Sequence, residues 1–301
     1  MKRFLLKIVL LLLILVGIDF VVGLIFHSLE KNAKGGYTQR DNFICDELET
    51  DILILGSSRC VRHYNPQIIT DSLEMTCYNS GQMGNGIILN FGRLKMVSER
   101  KKPKIVIYDL YPSFDLLGGE DNHKYLTWLK SHYERDGIAD IFDSIDQTEK
   151  FKMLSRMYRY NSRIVELLAD YLLSTSTARN NGFSPLRGEL NRTKIGEVER
   201  TQAAYAYDSL KLFYLEKMID EAKDCRIVFV VSPIWYGMDT SIYEPAKELC
   251  RQRGIEFIDF ANDAKYVHHD EYFRNGTHMN ARGADEFTRD LLKYLRKESS
   301  I

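Results

Sequence analysis

Short apolar runs that alternate with longer helical patterns are the feature that most limits the fold of this chain. Four of these runs are brief and rich in β-branched or aromatic residues, as expected for the buried strands of a parallel sheet, and a fifth is weaker. Strands that alternate with helices form right-handed βαβ units, so we expect an α/β protein. The pattern predicts a three-layer α/β/α sandwich with a central, mainly parallel, five-stranded sheet. The predicted strands are Asp51–Leu55, Met75–Asn79, Lys104–Leu110, Arg226–Val231 and Ile255–Phe260.

A second feature stands at the start of the chain. Residues 4–26 are almost continuously apolar, and only Lys7 and Asp19 interrupt them. About 20 such residues in a helix cross a bilayer, so the run predicts an uncleaved transmembrane anchor. A cleaved signal peptide and a buried hairpin helix are the alternatives. Lys2 and Arg3 precede the run and suggest an inside N-terminus, although basic residues also follow it. We therefore expect a single-pass protein of a cell inner membrane, with its large domain outside the cytoplasm.

The expected organisation has two parts. An N-terminal anchor and juxtamembrane linker occupy residues 1–44, and a single domain occupies residues 45–301. Within that domain, the region at about 125–200 is polar and helical, with its strongest helical pattern at Asp146–Leu172, and it has no strong strand run. We interpret it as a helical insertion between the third and fourth strands.

Charge and cysteine usage exclude several kinds of site. The chain has 41 Lys and Arg against 42 Asp and Glu, a formal net charge of −1. Nucleic-acid binding normally needs a basic patch or a high isoelectric point, so we expect no nucleic-acid partner. The five cysteines are odd in number and contain no CxxC pair. This pattern argues against a zinc ribbon and against a dense disulfide framework.

Candidate functional residues follow the predicted strands. In open parallel sheets, ligands bind outside the carboxyl ends of the strands. The first strand is followed by Gly56, Ser57, Ser58 and Arg59. A serine on a tight strand-to-helix turn can present its hydroxyl beside free backbone N–H groups, as a nucleophile requires. Alternatively, either serine only caps the next helix, and Arg59 either clamps an anionic group or decorates the turn.

Two further residues likewise have both a functional and a purely structural interpretation. Gly84 follows the second strand, and its missing side chain either admits a ligand close to the backbone or simply makes a turn. His278 precedes the last helical pattern, where it is either a general base or a polar residue near a helix N-terminus.

The order of these blocks resembles the SGNH (GDSL-type) hydrolase superfamily, and more closely its membrane-anchored bacterial branch with a GSSR-like first block. The resemblance covers most of residues 50–297, apart from the central insertion. The matching segments are LILGSSRC at 53–60, NSGQMG at 79–84 and NGTHMNARGA at 275–284.

The resemblance implies a role for each matching residue. Ser58 corresponds to the nucleophile and His278 to the catalytic base. The backbone N–H groups of Ser58 and Gly84 correspond to the oxyanion hole. Arg59 and Asn79 are weaker candidates for substrate binding.

Two positions depart from the family pattern. The third block should carry an asparagine for the oxyanion hole, but the strand ends in YDLYPSFD, where Ser113 is the best-placed polar substitute. Asn275 stands three residues before His278, where the family has the aspartate that orients the base. We assign Asn275 to the catalytic set on this basis. Alternatively, Asp270 or Asp285 supplies the carboxylate from a neighbouring turn.

The resemblance implies a serine-dependent esterase or O-acyltransferase. Its substrate would be an acyl group, of the acetyl type, on a cell-envelope or secreted glycan, or another small ester. Ester transfer through a serine needs no metal and no organic cofactor, so we expect neither. The alternative is a glycan-binding or assembly protein that keeps the cleft and has lost efficient chemistry, as Asn275 and the missing asparagine of the third block permit.

Overall fold

The computed structural model describes residues 1–119, 122–174, 179–192 and 206–296, and the end of the predicted insertion, 193–200, lies outside these ranges. The chain divides into two compact units, Met1–Glu47 with Asp121–Thr177 and Leu48–Glu120 with Ala178–Ile301. In chain order the α-helices are α1 Lys2–Lys31, α2 Gly36–Asn42, α3 Ser58–His63, α4 Pro66–Leu73, α5 Ile87–Ser98, α6 Pro112–Asp115, α7 Asn122–Tyr125, α8 Ile138–Ile145, α9 Glu149–Lys152, α10 Ile164–Leu172, α11 Ser209–Glu221, α12 Glu244–Arg253 and α13 Ala281–Leu295. A π-helical turn covers Phe43–Glu47, and short 3₁₀ turns lie at Lys130–His132, Tyr158–Tyr160, Arg179–Gly182, Thr240–Tyr243 and Asp270–Tyr272.

A five-stranded parallel sheet forms the centre of the second unit, which confirms the predicted fold class. The strand order is β2-β1-β3-β4-β5, and every neighbouring pair is parallel. All five predicted strands are present within two residues of their predicted bounds. They are β1 Ile52–Gly56, β2 Cys77–Asn79, β3 Ile105–Asp109, β4 Arg226–Val231 and β5 Glu256–Asp259.

Helices cover both faces of this sheet, which explains why its strands are apolar without alternation. Ile52 and Ile54 belong to the core beneath α13, while Leu53 and Leu55 point to the opposite face and are equally buried. The helices α3 and α4 pack on α13, and α5 packs on α11. Because both faces are covered, each central strand reads as a continuous apolar run rather than as an amphipathic one.

The other unit is helical and contains α1, α2 and α7 to α10. Helix α1 packs on α2 and α10. It is the one helix in the described ranges that is long and apolar enough to cross a bilayer, with a mean hydropathy of 3.1 over its most apolar window. Most of its apolar side chains are exposed, unlike those of a core helix. A signal sequence shares its length, its hydropathy and its place at the N-terminus.

Candidate active site

The turn between β1 and α3 places Ser58 at the carboxyl edge of the sheet. Gly56 ends β1 with a φ of +146°, a conformation that L side chains rarely adopt. A Cβ there would lie 2.8 Å from the carbonyl oxygen of Asp109 and 2.9 Å from the Cβ of Cys60. Only glycine therefore permits this close turn, and Ser58 follows it as the first residue of α3.

The Ser58 hydroxyl faces the ring of His278. Its Oγ lies 2.9 Å from His278 Nε2, although 220 positions separate the two residues. Both are half-buried. Ser57 occupies the N-cap position of α3, but its buried hydroxyl has no hydrogen-bond partner in the described part of the chain. Neither serine side chain therefore caps α3, and the Ser58 hydroxyl is paired with an imidazole.

Asn275 lies on the other side of the His278 ring. Its Oδ1 is 3.1 Å from His278 Nδ1, and it also accepts hydrogen bonds from the backbone N–H groups of His278 (2.9 Å) and Thr277 (3.0 Å). An amide oxygen only accepts, so this contact places the ring proton on Nδ1 and leaves Nε2 free to accept from Ser58. The amide thus holds the tautomer that a general base needs, but it brings no negative charge.

Thr277 is a contributor that sequence reasoning missed. Its Oγ1 lies 3.1 Å from His278 Nδ1 and 3.1 Å from Asn275 Oδ1. The hydroxyl therefore helps to fix both the ring and the amide. Thr277 precedes His278 directly in the sequence, and this was the only available sign of its role. A threonine next to a histidine is too common to indicate such a role by itself.

Asp270 and Asp285, the alternative sources of a carboxylate, have other partners. Asp270 accepts hydrogen bonds from Arg192 and, at 2.9 Å, from Trp235 Nε1. Asp285 accepts one at 2.7 Å from Asn65 Nδ2. In this structure the His278 ring is oriented by the amide of Asn275.

The loop that carries Gly84 packs beside the Ser58 helix. A Cβ on Gly81 would lie 2.8 Å from Cys60 Sγ, and Met83 Sδ lies 3.6 Å from Arg62 Nη2, one helical turn beyond Ser58. Gly84 has a φ of +69°, and a Cβ there would meet nothing within 4 Å. The glycine is therefore needed for its backbone conformation rather than for space.

Two backbone N–H groups at this end of the sheet are the predicted donors of an oxyanion hole. Those of Ser58 and Gly84 donate no hydrogen bond to any described residue. The Ser58 group is one of the N–H groups that the first turn of a helix leaves without a partner inside the helix. Such groups, if they converge on one oxygen, stabilise the charge of a tetrahedral intermediate.

Ser113 does not contact the Ser58–His278 pair. It lies exposed on the four-residue helix α6, and its carbonyl oxygen accepts a hydrogen bond of 3.2 Å from Lys211 Nζ. Among the described residues, Ser113 thus makes no contact that would place its hydroxyl at an oxyanion hole.

Arg59 and Asn79 are both buried and hydrogen-bonded to the protein itself. Arg59 is 1% exposed, and its guanidinium contacts Ser232 Oγ through Nε at 3.1 Å and Nη2 at 2.7 Å. Asn79 is fully buried, and its amide donates to the carbonyl oxygens of Cys60 (2.7 Å) and Tyr64 (3.1 Å). This geometry favours structural roles over substrate binding. The two residues join the helix that carries Ser58 to the neighbouring strand ends.

A buried polar network beneath the pair also holds the histidine loop. His63 Nε2 accepts a hydrogen bond of 3.0 Å from the backbone N–H of Met279, so its proton lies on Nδ1, which is 2.9 Å from Ser232 Oγ. Asp109 accepts from the Ser232 N–H at 3.2 Å, and burial raises the pKa of this carboxyl although Arg59 opposes the change. His63 thereby fixes the residue next to His278. Nothing in the local sequence around His63 or Ser232 indicates this connection.

The surroundings of His278 keep its ring neutral. Burial and the positive charges of Arg59 and Arg62 lower its pKa to about 4. A neutral ring is the form that can accept the proton of the serine hydroxyl. The low pKa also makes it a weaker base than a histidine beside a carboxylate.

This pKa leads to a pH prediction. The acid limb of kcat/KM should lie near pH 4, well below the ordinary histidine value of 6.5, because the ring protonates only there. Arg62→Gln removes a nearby positive charge, so we expect it to move that limb to higher pH. A pH–rate profile of both proteins, with an NMR titration of the His278 ring, measures the effect. A limb near pH 6.5 in the parent would contradict it.

The same shift affects stability. Between about pH 6.5 and pH 4, the unfolded chain binds a proton at His278 that the folded chain does not. The free energy of unfolding should therefore fall as the pH is lowered through this window.

Comparisons with known proteins find distant likenesses in structure. No family model and no curated sequence matches the chain. A GDSL-like lipase from Bacteroides thetaiotaomicron is similar over 86% of this chain and 96% of its own, with 10% identity and a TM-score of 0.40. An acetyl xylan esterase from the rumen bacterium Butyrivibrio proteoclasticus is similar over 81% of this chain and 63% of its own, with 10% identity and a TM-score of 0.34. At this level of identity the likeness concerns the fold and not the chemistry of the site.

Proposed function

We propose that this chain is a serine-dependent esterase or O-acyltransferase that acts on acetyl-type groups of a cell-envelope or secreted glycan. The observation that carries the proposal is the hydrogen bond of 2.9 Å between Ser58 Oγ and His278 Nε2 at the carboxyl edge of the sheet. A hydroxyl paired with a neutral, oriented imidazole is an activated nucleophile.

The proposed reaction proceeds in two steps. Ser58 Oγ attacks the ester carbonyl carbon while His278 Nε2 takes the hydroxyl proton, and the N–H groups of Ser58 and Gly84 hold the oxyanion. The tetrahedral intermediate then collapses, and His278 delivers the proton to the leaving alcohol. In the second step an acceptor hydroxyl attacks the acyl-serine by the same proton relay, which frees Ser58. Water as the acceptor gives hydrolysis, and a sugar hydroxyl gives transfer.

Aromatic side chains beside the histidine loop support a sugar-bearing substrate. Tyr236 is half-buried, and its ring lies against Gly276, where a Cβ would approach it to 2.8 Å. The neighbouring Trp235 is also half-buried, and its indole is held by Asp270. Partly exposed aromatic rings of this size can pack against the apolar C–H face of a sugar.

A second candidate function rests on Asn275. The amide orients His278 but cannot stabilise the imidazolium that forms during proton transfer. A protein that binds acylated glycans during their assembly, with little or no turnover, would fit this substitution. The two candidates differ in the reactivity of Ser58.

A fluorophosphonate probe tests the proposal directly. We expect the full-length protein, purified in detergent, to be labelled at Ser58, because the probe reacts with serines that an adjacent base activates. Ser58→Ala should not be labelled. Ser57→Ala should be labelled like the parent, since the Ser57 hydroxyl has no hydrogen-bond partner among the described residues. Peptide mass spectrometry identifies the modified residue. An unlabelled Ser58 in a folded protein would favour the binding function.

The location is part of the same proposal. We propose that α1 holds the protein in the inner membrane as a single span, with the large domain outside the cytoplasm, where an envelope glycan is accessible. Its length and exposed apolar surface support this arrangement.

Membrane extraction and protease access test that arrangement. The full-length chain should resist alkaline carbonate extraction, and protease added to spheroplasts should cut it. Recovery of a shortened, soluble protein would show that the segment is a cleaved signal instead.

A further inference from the structure

Three metal-ligating side chains meet inside the helical unit, away from the serine site. Asp41 lies on α2, and Cys45 follows four residues later in the π-helical turn, so both face the same side of one helical segment. His132 ends the 3₁₀ turn at Lys130–His132. The three residues are 2%, 1% and 5% exposed, respectively. Nothing in the proposed ester chemistry uses them.

Their ligand atoms already have nearly the spacing of a metal site. His132 Nε2 lies 3.5 Å from Asp41 Oδ2, and Cys45 Sγ lies 3.9 Å from Asp41 Oδ1. One ligand atom from each residue falls within 4.8 Å of the other two. Zinc binds sulfur at about 2.3 Å and nitrogen or oxygen at about 2.0–2.2 Å, so its tetrahedral ligands stand about 3.3–3.7 Å apart. Small side-chain rotations would bring all three atoms to these distances.

The imidazole of His132 is a second, independent indication. Its Nε2 is buried, is directed toward the carboxylate of Asp41, and makes no hydrogen bond to any described residue. Buried polar atoms normally have a partner, because leaving one unpaired costs stability. A metal ion at this point would give this nitrogen a direct bond, in place of the long contact of 3.5 Å with Asp41 Oδ2.

We propose that Asp41, Cys45 and His132 form a site for one divalent zinc ion. A carboxylate and a thiolate together contribute two negative charges, which balance the charge of the ion in a buried environment, and the imidazole binds as a neutral ligand. Binding releases the proton of the Cys45 thiol to solvent as the sulfur–zinc bond forms. The three protein ligands leave the fourth position of the tetrahedron to a water molecule.

Zinc stoichiometry tests this site. The full-length protein in detergent is stripped with a chelator, incubated with zinc chloride and a non-thiol reductant, dialysed and analysed by elemental mass spectrometry. We expect about one zinc per chain in the parent. Cys45→Ala and His132→Gln should lose most of it. The control Cys250→Ala removes a cysteine that is equally buried but belongs to the other unit, so it should keep the zinc.

Cobalt keeps the proposal testable if the variants fail to fold. The stripped parent, loaded with cobalt chloride, should show the visible bands of a tetrahedral ion and the near-ultraviolet charge-transfer band of a thiolate ligand. A parent that binds neither metal, or a Cys45→Ala variant that binds zinc like the parent, would overturn the site. Fluorophosphonate labelling of Ser58 is measured on the same samples, so a failure of the metal site is distinguished from a failure of the proposed function.

Discussion

Ser58→Ala is expected to lower the turnover of p-nitrophenyl acetate by about 10³-fold or more, to the level of the uncatalysed reaction or close to it. The substitution removes the atom that forms the acyl-enzyme, so no other residue can take its place in the covalent step. The melting temperature should change by no more than about 2 °C, because the side chain is small, half-buried and does not cap α3. Steady-state kinetics and thermal unfolding of the same preparation measure both effects.

Ser57→Ala is the matched control for this experiment. It removes a hydroxyl from the adjacent residue, whose Oγ has no hydrogen-bond partner among the described residues. We expect its turnover to stay within about twofold of the parent. Equal losses of turnover in the two variants, or a large loss of stability in Ser58→Ala, would mean that the serines support the turn rather than the chemistry.

Asn275→Asp is expected to raise turnover on the same ester by at least about tenfold. The parent amide accepts the Nδ1 proton of His278 at 3.1 Å but cannot stabilise the charged ring. A carboxylate of nearly the same volume keeps that contact and adds the charge, and in serine proteases the reverse change lowers kcat about 10⁴-fold. The pKa of His278 should rise from its value of about 4, since a negative charge favours the protonated ring. The acid limb of the pH–rate profile should move upward with it.

Asp270→Asn and Asp285→Asn complete this comparison. The side chains of both aspartates are engaged with other residues, Asp270 with Trp235 and Asp285 with Asn65. We therefore expect neither variant to change turnover as Asn275→Asp does. A flat or lowered kcat in Asn275→Asp, together with a large loss in either of these variants, would assign the orienting role to that aspartate.

The elements of the fold were predictable because their causes are local. The central strands of the sheet are short apolar runs, because a strand that is buried on both faces needs apolar side chains at successive positions. Gly56 and Gly84 likewise reflect backbone conformations that the chain needs at those points. The contact between Asn275 and His278 is also local, because the amide closes a turn of three residues on the backbone N–H of the histidine.

The environment of each candidate residue was not predictable in this way. Arg59 follows β1 and Asn79 ends β2, at the same edge as Ser58, yet their side chains are buried and hydrogen-bonded to the protein. Polar residues at a strand end have the same local sequence pattern whether their side chains face the solvent or the protein interior. The choice depends on which distant groups can satisfy them, and for Arg59 that group is Ser232, 173 positions away.

The sequence by itself therefore determined the α/β sheet, the apolar N-terminal helix and the set of residues at the carboxyl edge of the strands, because these follow from burial patterns and backbone preferences within a few residues. Only the tertiary structure decided that Ser58 Oγ meets His278 Nε2, and that His132 joins Asp41 and Cys45 at one buried point. These contacts join segments separated by as many as 220 positions. Their geometry is set by how helices and strands pack, and no local pattern in the chain records it.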